Sequence, residues 1–348
     1  MGYSSRAVQF DGSGHGTHEK GAIIAQRTGV SNRNLNREST CGSTRPSGSS
    51  VVSSDPPRVG LDHLDALWFQ VTGTVCNLRC THCFISCAPD NHTLEFLDLD
   101  TVLALLDESV RWGVKEYYVT GGEPFMHRQL PEMLEAILAL GPATVLTNAT
   151  LMRGRVLERL ARAERDSRYS LEVRVSIDGP NAATNDPIRG EGTFQAAMNG
   201  VRALLDHGFL PIITATRVWS PEGDETTRQA FEDVLRELGY DKPRIKILPS
   251  LRIGREAARA GGYGDDDRVT EEMMEGYDAR QLLCSAARVV TNRGVHVCPI
   301  LVDEEDSLLG ETLTDAATSF PLRHQACYTC WLYGAICSNF GAIGEGAA

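Results

Sequence analysis

Three cysteines lie within eight residues of one another in the stretch VCNLRCTHCF, at Cys76, Cys80 and Cys83. A cysteine thiolate is a soft ligand that suits iron–sulfur clusters or zinc. A structural zinc site needs four ligands and is usually built from two pairs, whereas this loop supplies three. A four-iron cluster held by three thiolates keeps one iron open to an outside ligand. The loop therefore predicts such a cluster, with a zinc site as the alternative.

A second group of cysteines lies near the C-terminus, at Cys284, Cys298, Cys327, Cys330 and Cys337. Cys327 and Cys330 form a C-x-x-C pair, which predicts a further metal centre, either a structural zinc or a second iron–sulfur cluster. Cys41 is expected to be a spare exposed thiol, and Cys87 a pocket or core residue and not a cluster ligand. The chain starts without the layout of an export signal, so two tight cysteine groups favour metal binding in a reducing compartment over disulfides. The expected location is the cytoplasm.

Alternating strand-like and helix-period segments place these cysteines in a fold. The predicted strands are 67–71, 117–120, 143–146, 171–177, 211–218 and 244–248, and the predicted helices are 99–112, 130–140, 155–165, 194–207 and 225–238. Six β-then-α units in succession predict an α/β fold, a partial (β/α)6 TIM-like barrel with a parallel sheet. The three-cysteine loop directly follows the first strand, at the carboxyl edge where active sites of such sheets lie.

The remaining composition sets the domain limits and excludes two classes of partner. Residues 1–60 are rich in Ser, Gly, Asn and Arg and are predicted to be a disordered tail. Residues 61–255 are predicted to be the barrel, and 256–348 a polar, Gly-rich linker followed by the small cysteine-rich extension. The net charge of −12 argues against nucleic-acid binding. No apolar run approaches the roughly 20 residues that cross a bilayer, so no membrane partner is expected.

The cysteine loop resembles that of the radical S-adenosylmethionine (radical SAM) enzymes, whose signature is this spacing with an aromatic residue before the third cysteine. His82 takes the aromatic place and Phe84 follows the third cysteine. The resemblance implies a [4Fe-4S] cluster whose open iron binds S-adenosylmethionine. The cofactor is then cleaved to a 5′-deoxyadenosyl radical, which abstracts a hydrogen atom from the substrate. The implied ligands are the three loop cysteines.

Further motifs in the same order extend the resemblance along the barrel. After the second strand comes a GGEP sequence, the form that holds the methionine amino group in the family. Polar residues end the third and fourth strands, and a DPIRGEGTF segment resembles one in the peptide-modifying and sulfatase-maturing branches. The cofactor-binding residues implied by the resemblance are Gly121, Gly122, Glu123, Pro124, Asn148, Ser176, Asp178, Arg189, His82 and Phe84.

The cysteine-rich tail resembles the C-terminal extension called SPASM, or its shorter twitch form. The full extension uses seven cysteines for two clusters, whereas this chain has C-x-x-C-x6-C and carries Gly341 where another cysteine is expected. The resemblance therefore implies one auxiliary cluster, [4Fe-4S] or [2Fe-2S]. Its implied ligands are Cys284, Cys298, Cys327 and Cys330, with Cys337 as a spare or substitute ligand.

Function follows from the resemblance in outline only. Relatives with this extension oxidise, cross-link or epimerise residues in peptides or modify natural products, and a protein such as flavodoxin or ferredoxin would supply the electron. Two alternatives stay open: an oxidoreductase-type radical dehydrogenase acting on a small molecule such as a sugar or cofactor precursor, and a non-catalytic zinc-binding scaffold. The catalytic acid or base stays unassigned among Tyr117, Tyr118, Asp178, His296 and Tyr328.

Overall fold

The computed structural model describes residues 55–336. The predictions for most of the N-terminal tail, including Cys41, and those for Cys337 and Gly341 lie outside the described residues. Within 55–336, no helix has the length and apolar character needed to cross a membrane.

A parallel sheet of consecutive strands forms the centre of the molecule. The strands are β1 (Arg58–Val59), β2 (Ala66–Gln70), β3 (Glu116–Thr120), β4 (Ala143–Thr147), β5 (Leu171–Ser176), β6 (Ile212–Thr216), β7 (Arg244–Leu248), β8 (Ala287–Thr291), β9 (Gly294–His296), β10 (Leu308–Gly310) and β11 (Phe320–Pro321). Strands β2 to β7 pair in parallel and in chain order. The predicted fold class, a partial TIM-like barrel, is confirmed.

Helices connect these strands, and several of them cover the outer face of the sheet. They are α1 (Leu99–Trp112), α2 (Leu130–Leu138), α3 (Gly154–Asp166), α4 (Ala182–Arg189), α5 (Thr193–Asp206), α6 (Asp224–Glu237), α7 (Gly254–Ala260), α8 (Glu271–Met274) and α9 (Ala326–Tyr333). The ends of α1 show why its predicted bounds hold. The carboxylate of Asp98 accepts the backbone N–H of Thr101 at 2.8 Å, and Gly113 ends the helix with a φ of 69°.

The two faces of the barrel strands differ in chemistry. Odd-numbered residues such as Phe69, Val119 and Val173 are buried under the helices in the main hydrophobic core. Even-numbered residues share the opposite face, because the parallel register pairs even with even across β2 to β7. Trp68 and Arg174 are among the even-numbered residues that line a cavity inside the barrel. The interior of the barrel is therefore a cavity at its carboxyl end, with both polar and apolar side chains on its wall.

The cysteine-rich C-terminal part continues the same sheet. Strand β8 pairs in parallel with β2, and β9 and β10 follow it in antiparallel order, so the sheet has nine strands. The segment predicted to be a linker contains helix α7 instead. Its Glu256 is 1% exposed and accepts hydrogen bonds from Ser250 at 2.5 Å and from Arg259 at 2.6 Å. These polar contacts stabilise α7, which has no apolar period in its sequence. The composition of the segment therefore did not predict the helix.

Candidate active site

The three-cysteine loop lies over the carboxyl end of β2, where it forms one wall of a cavity of about 230 Å³. Cys76 and Cys80 are buried, Cys83 is half-buried, and all three line the cavity. The side chains opposite come from the carboxyl ends of β3, β4, β5 and β6. The parallel sheet thus gathers the predicted site residues at its active edge.

Two of the cysteine sulfurs accept backbone hydrogen bonds. The N–H of Leu78 donates to Cys76 Sγ at 3.4 Å, and the N–H of Cys87 donates to Cys83 Sγ at 3.2 Å. Burial raises the pKa of Cys76 to about 12. A hydrogen bond from the Cys87 thiol lowers the pKa of Cys83 to about 6. Donors directed at sulfur stabilise the thiolate, the form that ligates a metal. The loop therefore fits an iron–sulfur cluster in ligand type, ligand number and hydrogen bonding.

The GGEP motif packs against the start of the cysteine loop. A Cβ added to Gly122 would lie 2.0 Å from the carbonyl oxygen of Val75, and one added to Gly121, whose φ is 147°, would lie 2.3 Å from Thr72 Oγ1. The sequence reading expected the glycines to let a ligand approach. Both do line the cavity, but the closest atoms to them belong to the chain itself, so they also fix the position of the loop.

Glu123 lies behind the cavity wall. Its carboxylate is fully buried and accepts hydrogen bonds from Thr147 Oγ1 and from the backbone N–H of Asn148, both at 2.7 Å. Burial raises its pKa. Neither Glu123 nor Pro124 lines the cavity, and the contact of Glu123 with an ammonium group stays a prediction. Glu123 holds the end of β4 in place.

A buried ion-pair set connects the cysteine loop to β5 and α4. Asp178 Oδ2 lies 2.7 Å from His82 Nε2 and 2.6 Å from Arg189 Nε, and Asp178 Oδ1 accepts the backbone N–H of Thr216 at 2.8 Å. Although burial opposes it, the guanidinium of Arg189 and the contact with His82 hold the pKa of Asp178 well below its ordinary value. His82 and Arg189 line the cavity. Asp178 does not, so it acts on the cavity through these two neighbours.

The structure brings most of the predicted cofactor-binding residues together. Those lining the cavity are His82, Phe84, Gly121, Gly122, Asn148, Ser176 and Arg189. Asn148 Nδ2 donates to Asn77 Oδ1 at 2.9 Å, and it lies 3.9 Å from Cys76 Sγ. A group bound between the cysteines and strands β3 to β5 would contact hydrogen-bonding side chains from both sides.

Comparison with known proteins identifies the domain that contains this cavity. Residues 71–234 match the sequence model described as the Radical SAM superfamily, and this segment contains the cysteine loop, the GGEP motif and the Asp178 ion-pair set. The chain contains a radical SAM domain. Enzymes of this family use a [4Fe-4S] cluster together with S-adenosylmethionine.

Curated relatives of the radical SAM domain have several activities. The mycofactocin maturase MftC of Mycolicibacterium smegmatis is 29% identical over 67% of this chain and 55% of its own length. The Fe-coproporphyrin III synthase of Methanosarcina barkeri is 34% identical over 66% of this chain and 53% of its own. A GTP 3′,8-cyclase of Psychromonas ingrahamii is 31% identical over 39% of each chain. The matched part spans about half the length of these relatives or less.

Solved radical SAM structures share the fold. SuiB of Streptococcus suis bound to S-adenosylmethionine has a TM-score of 0.54 at 16% identity, covering 70% of this chain and 62% of that one. The protein anSMEcpe with bound AdoMet has a TM-score of 0.53 at 14% identity, covering 72% and 79%. At these identities the likeness is one of fold.

The second cysteine set meets in a separate cavity beside the radical SAM domain. Cys284, Cys298, Cys327 and Cys330 line it together with apolar residues that include Leu283, Ile300 and Phe320. Burial raises the pKa of the Cys284, Cys298 and Cys327 thiols, that of Cys284 to about 12. The structure thus brings the four predicted ligands together, although they come from three separate segments of chain.

None of the five residues proposed as acid or base lines the cavity. Tyr117 faces the helices, where its hydroxyl lies 2.8 Å from Ser109 Oγ. His296 is buried between Ser307 and Thr291, with ring nitrogens 2.8 and 3.1 Å from their hydroxyls, and burial lowers its pKa to about 4. Tyr118 faces the barrel interior, stacked on Trp68 with ring centroids 4.1 Å apart. None of the candidates is assigned a catalytic role.

The sequence analysis missed two kinds of cavity residue. Arg174 and Trp68 line the cavity from within the barrel, and Pro299 and Ile336 reach it from the C-terminal part. The signal for the first pair was the even-numbered alternation in β2 and β5. No local pattern indicates the second pair, because their position depends on how the C-terminal segment folds back.

Proposed function

We propose that this protein reductively cleaves S-adenosylmethionine and uses the resulting radical to abstract a hydrogen atom from a peptide or natural product. The observation that carries the proposal is the position of Cys76, Cys80 and Cys83, which line one cavity of the radical SAM domain. When bound, a [4Fe-4S] cluster supplies the electron that cleaves the S–C5′ bond of the cofactor.

The residues of the cavity would bind the cluster, orient the cofactor and shield both from water. Cys76, Cys80 and Cys83 would hold the cluster, and Asn148 and Ser176 would offer hydrogen bonds to the cofactor from β4 and β5. Arg189, fixed on Asp178, would present its remaining guanidinium N–H groups to a carboxylate. Trp68, with other apolar side chains on the wall, keeps water from the reacting atoms.

The spacing of the sulfurs favours clusters over a zinc scaffold. A tetrahedral zinc with Zn–S bonds of about 2.3 Å places its sulfurs about 3.8 Å apart. In residues 55–336, ligand atoms of Glu304, Asp306 and His324 all lie within 4.8 Å of one another. No set of three cysteine sulfurs in these residues is as close together as that. Neither cysteine set is as compact as one zinc ion requires.

The second cysteine set would hold an auxiliary cluster. Its four thiols line an apolar cavity, and Cys298 directly precedes Pro299, which lines the cavity of the radical SAM domain. A redox centre at that place would lie one residue from the wall of the substrate cavity. This proximity supports a reaction in which the substrate loses an electron, such as oxidation or cross-linking.

The substrate class is supported by the relatives. Structures similar in fold include SuiB bound to precursor peptide SuiA and anSMEcpe with a Cp18Cys peptide, and MftC is a maturase. These favour a peptide substrate. A flavodoxin or ferredoxin is proposed as the electron donor on the basis of the family resemblance alone. A small-molecule substrate is the second candidate, because the cyclase and the Fe-coproporphyrin III synthase also match.

Anaerobic reconstitution tests the proposal. The protein should bind iron and sulfide, and with dithionite it should convert S-adenosylmethionine to 5′-deoxyadenosine, detected by chromatography and mass. A variant with Cys76, Cys80 and Cys83 all replaced by alanine should form no product, whereas Cys41→Ala should match the wild type. Product formation by the triple variant would refute the assignment, and zinc binding without product would support the scaffold.

A further inference from the structure

Arg255, in the first turn of α7, holds the cysteine loop from outside the barrel. Its Nε donates to the carbonyl oxygen of Cys80 at 2.8 Å, and its Nη1 donates to that of Ser86 at 3.1 Å. Its Nη2 donates to the carbonyl oxygen of Cys87. In addition, its backbone N–H donates to the carbonyl oxygen of Cys83 at 3.1 Å. One residue therefore binds four carbonyls across the loop.

The backbone around Arg255 is shaped for this contact. Gly254 has a φ of 55°, and a Cβ added to it would lie 2.2 Å from the carbonyl oxygen of Phe84. Ser86, on the other side of the contact, also has a positive φ, of 52°. Such conformations are unfavourable outside glycine and persist where the surroundings impose them. The two segments are thus packed backbone to backbone, which brings the guanidinium within reach of three carbonyls.

The charge of Arg255 also acts on the sulfurs. It is one of the groups that favour the thiolate forms of Cys80 and Cys83. Three thiolates give a four-iron cluster a net negative charge, which becomes more negative on reduction. A nearby fixed cation stabilises the reduced state more than the oxidised state, so it raises the reduction potential.

We propose that Arg255 is a positioning residue that fixes the geometry of the cluster loop and raises the reduction potential of its cluster. The inference rests on the proposed cluster at Cys76, Cys80 and Cys83, but not on any particular substrate. Only arginine meets both demands, because its planar fork bridges several carbonyls while a lysine supplies a single point charge.

Redox titration monitored by electron paramagnetic resonance (EPR) tests this proposal on the reconstituted protein. The cluster of the loop is identified as the one whose EPR signal changes when S-adenosylmethionine is added. In Arg255→Gln, we expect its midpoint potential to shift to more negative values and its signal to broaden. In Arg255→Lys, which keeps the charge, we expect the midpoint to return towards the wild type while the signal stays broad.

Arg252→Gln is the matched control. Arg252 lies three residues away, pairs with Asp267 at 2.7 Å and is 40% exposed, so its loss should leave the potential and the EPR signal unchanged. If Arg255→Gln does not fold, the shape of the EPR signal in Arg255→Lys is the test, and a broad signal supports the positioning role. Wild-type potential and signal in a folded Arg255 variant would overturn the inference. The EPR titration measures the cluster itself and does not require cofactor cleavage. Failure of the wild type to form 5′-deoxyadenosine would therefore refute the proposed function without deciding the role of Arg255.

Discussion

Replacing Asp178 with asparagine isolates the charge that holds the buried ion-pair set together. The side chain of Asp178 is 0% exposed and those of its partners are 8% exposed for His82 and 10% for Arg189. Asparagine keeps the shape and can still accept the N–H of Thr216, so the loss is electrostatic. Leaving a buried charge without its partner costs about 3–5 kcal/mol. We expect this loss in the free energy of unfolding.

Thermal unfolding of the reconstituted protein measures the effect. For a chain of this size the unfolding entropy is roughly 0.6 kcal/mol per kelvin, so the Tm should fall by roughly 5–8 °C. Asp90→Asn is the control, because Asp90 pairs with Arg79 at the surface and is 72% exposed, and its Tm should not change. Adding Arg189→Met to Asp178→Asn should cost less than the sum of the single changes, because no unpaired charge then remains.

The pH dependence of the Tm is an independent test of how the Asp178 charge contributes to stability. The folded-state pKa of Asp178 is depressed, so its contribution is complete above its ordinary pKa of about 4 and is lost only as the pH falls further. The difference in Tm between wild type and Asp178→Asn should therefore be constant from about pH 6 to 8. A variant within about 1 kcal/mol of the wild type, or a difference that disappears between those pH values, would refute the reasoning.

Two further substitutions test other parts of the site. In Cys330→Ala, bound iron should fall by one auxiliary cluster, about four or two atoms per chain, while cofactor cleavage persists; unchanged iron would remove Cys330 from the ligand set. In Gly122→Ala, the new Cβ meets a backbone carbonyl at 2.0 Å, so both Tm and iron content should fall. Gly262→Ala, where the nearest side-chain atom is 4.0 Å away, is the control, and equal behaviour of the two variants would contradict the packing argument.

Local sequence determined the barrel and the first cysteine site. The helix over 99–112 was predicted with its exact bounds, because an apolar period and a final glycine act within a few residues. The six βα units placed Cys76, Asn148 and Ser176 at one edge, since parallel strands all end there. These properties depend on short-range periodicity and on a topological rule that holds for any such sheet.

Only the tertiary structure decided which polar residues face the cavity and which support it. Glu123 and Asp178 end up behind the wall, because donors that are distant in sequence take up their carboxylates. Arg255 reaches the cysteine loop across more than 160 residues of chain, and β8 joins the edge of β2 across a still longer stretch. The free energy of such contacts comes from burial and pairing between segments that no local pattern relates. The sequence therefore determines the chemistry that is available, and long-range packing determines where each group acts.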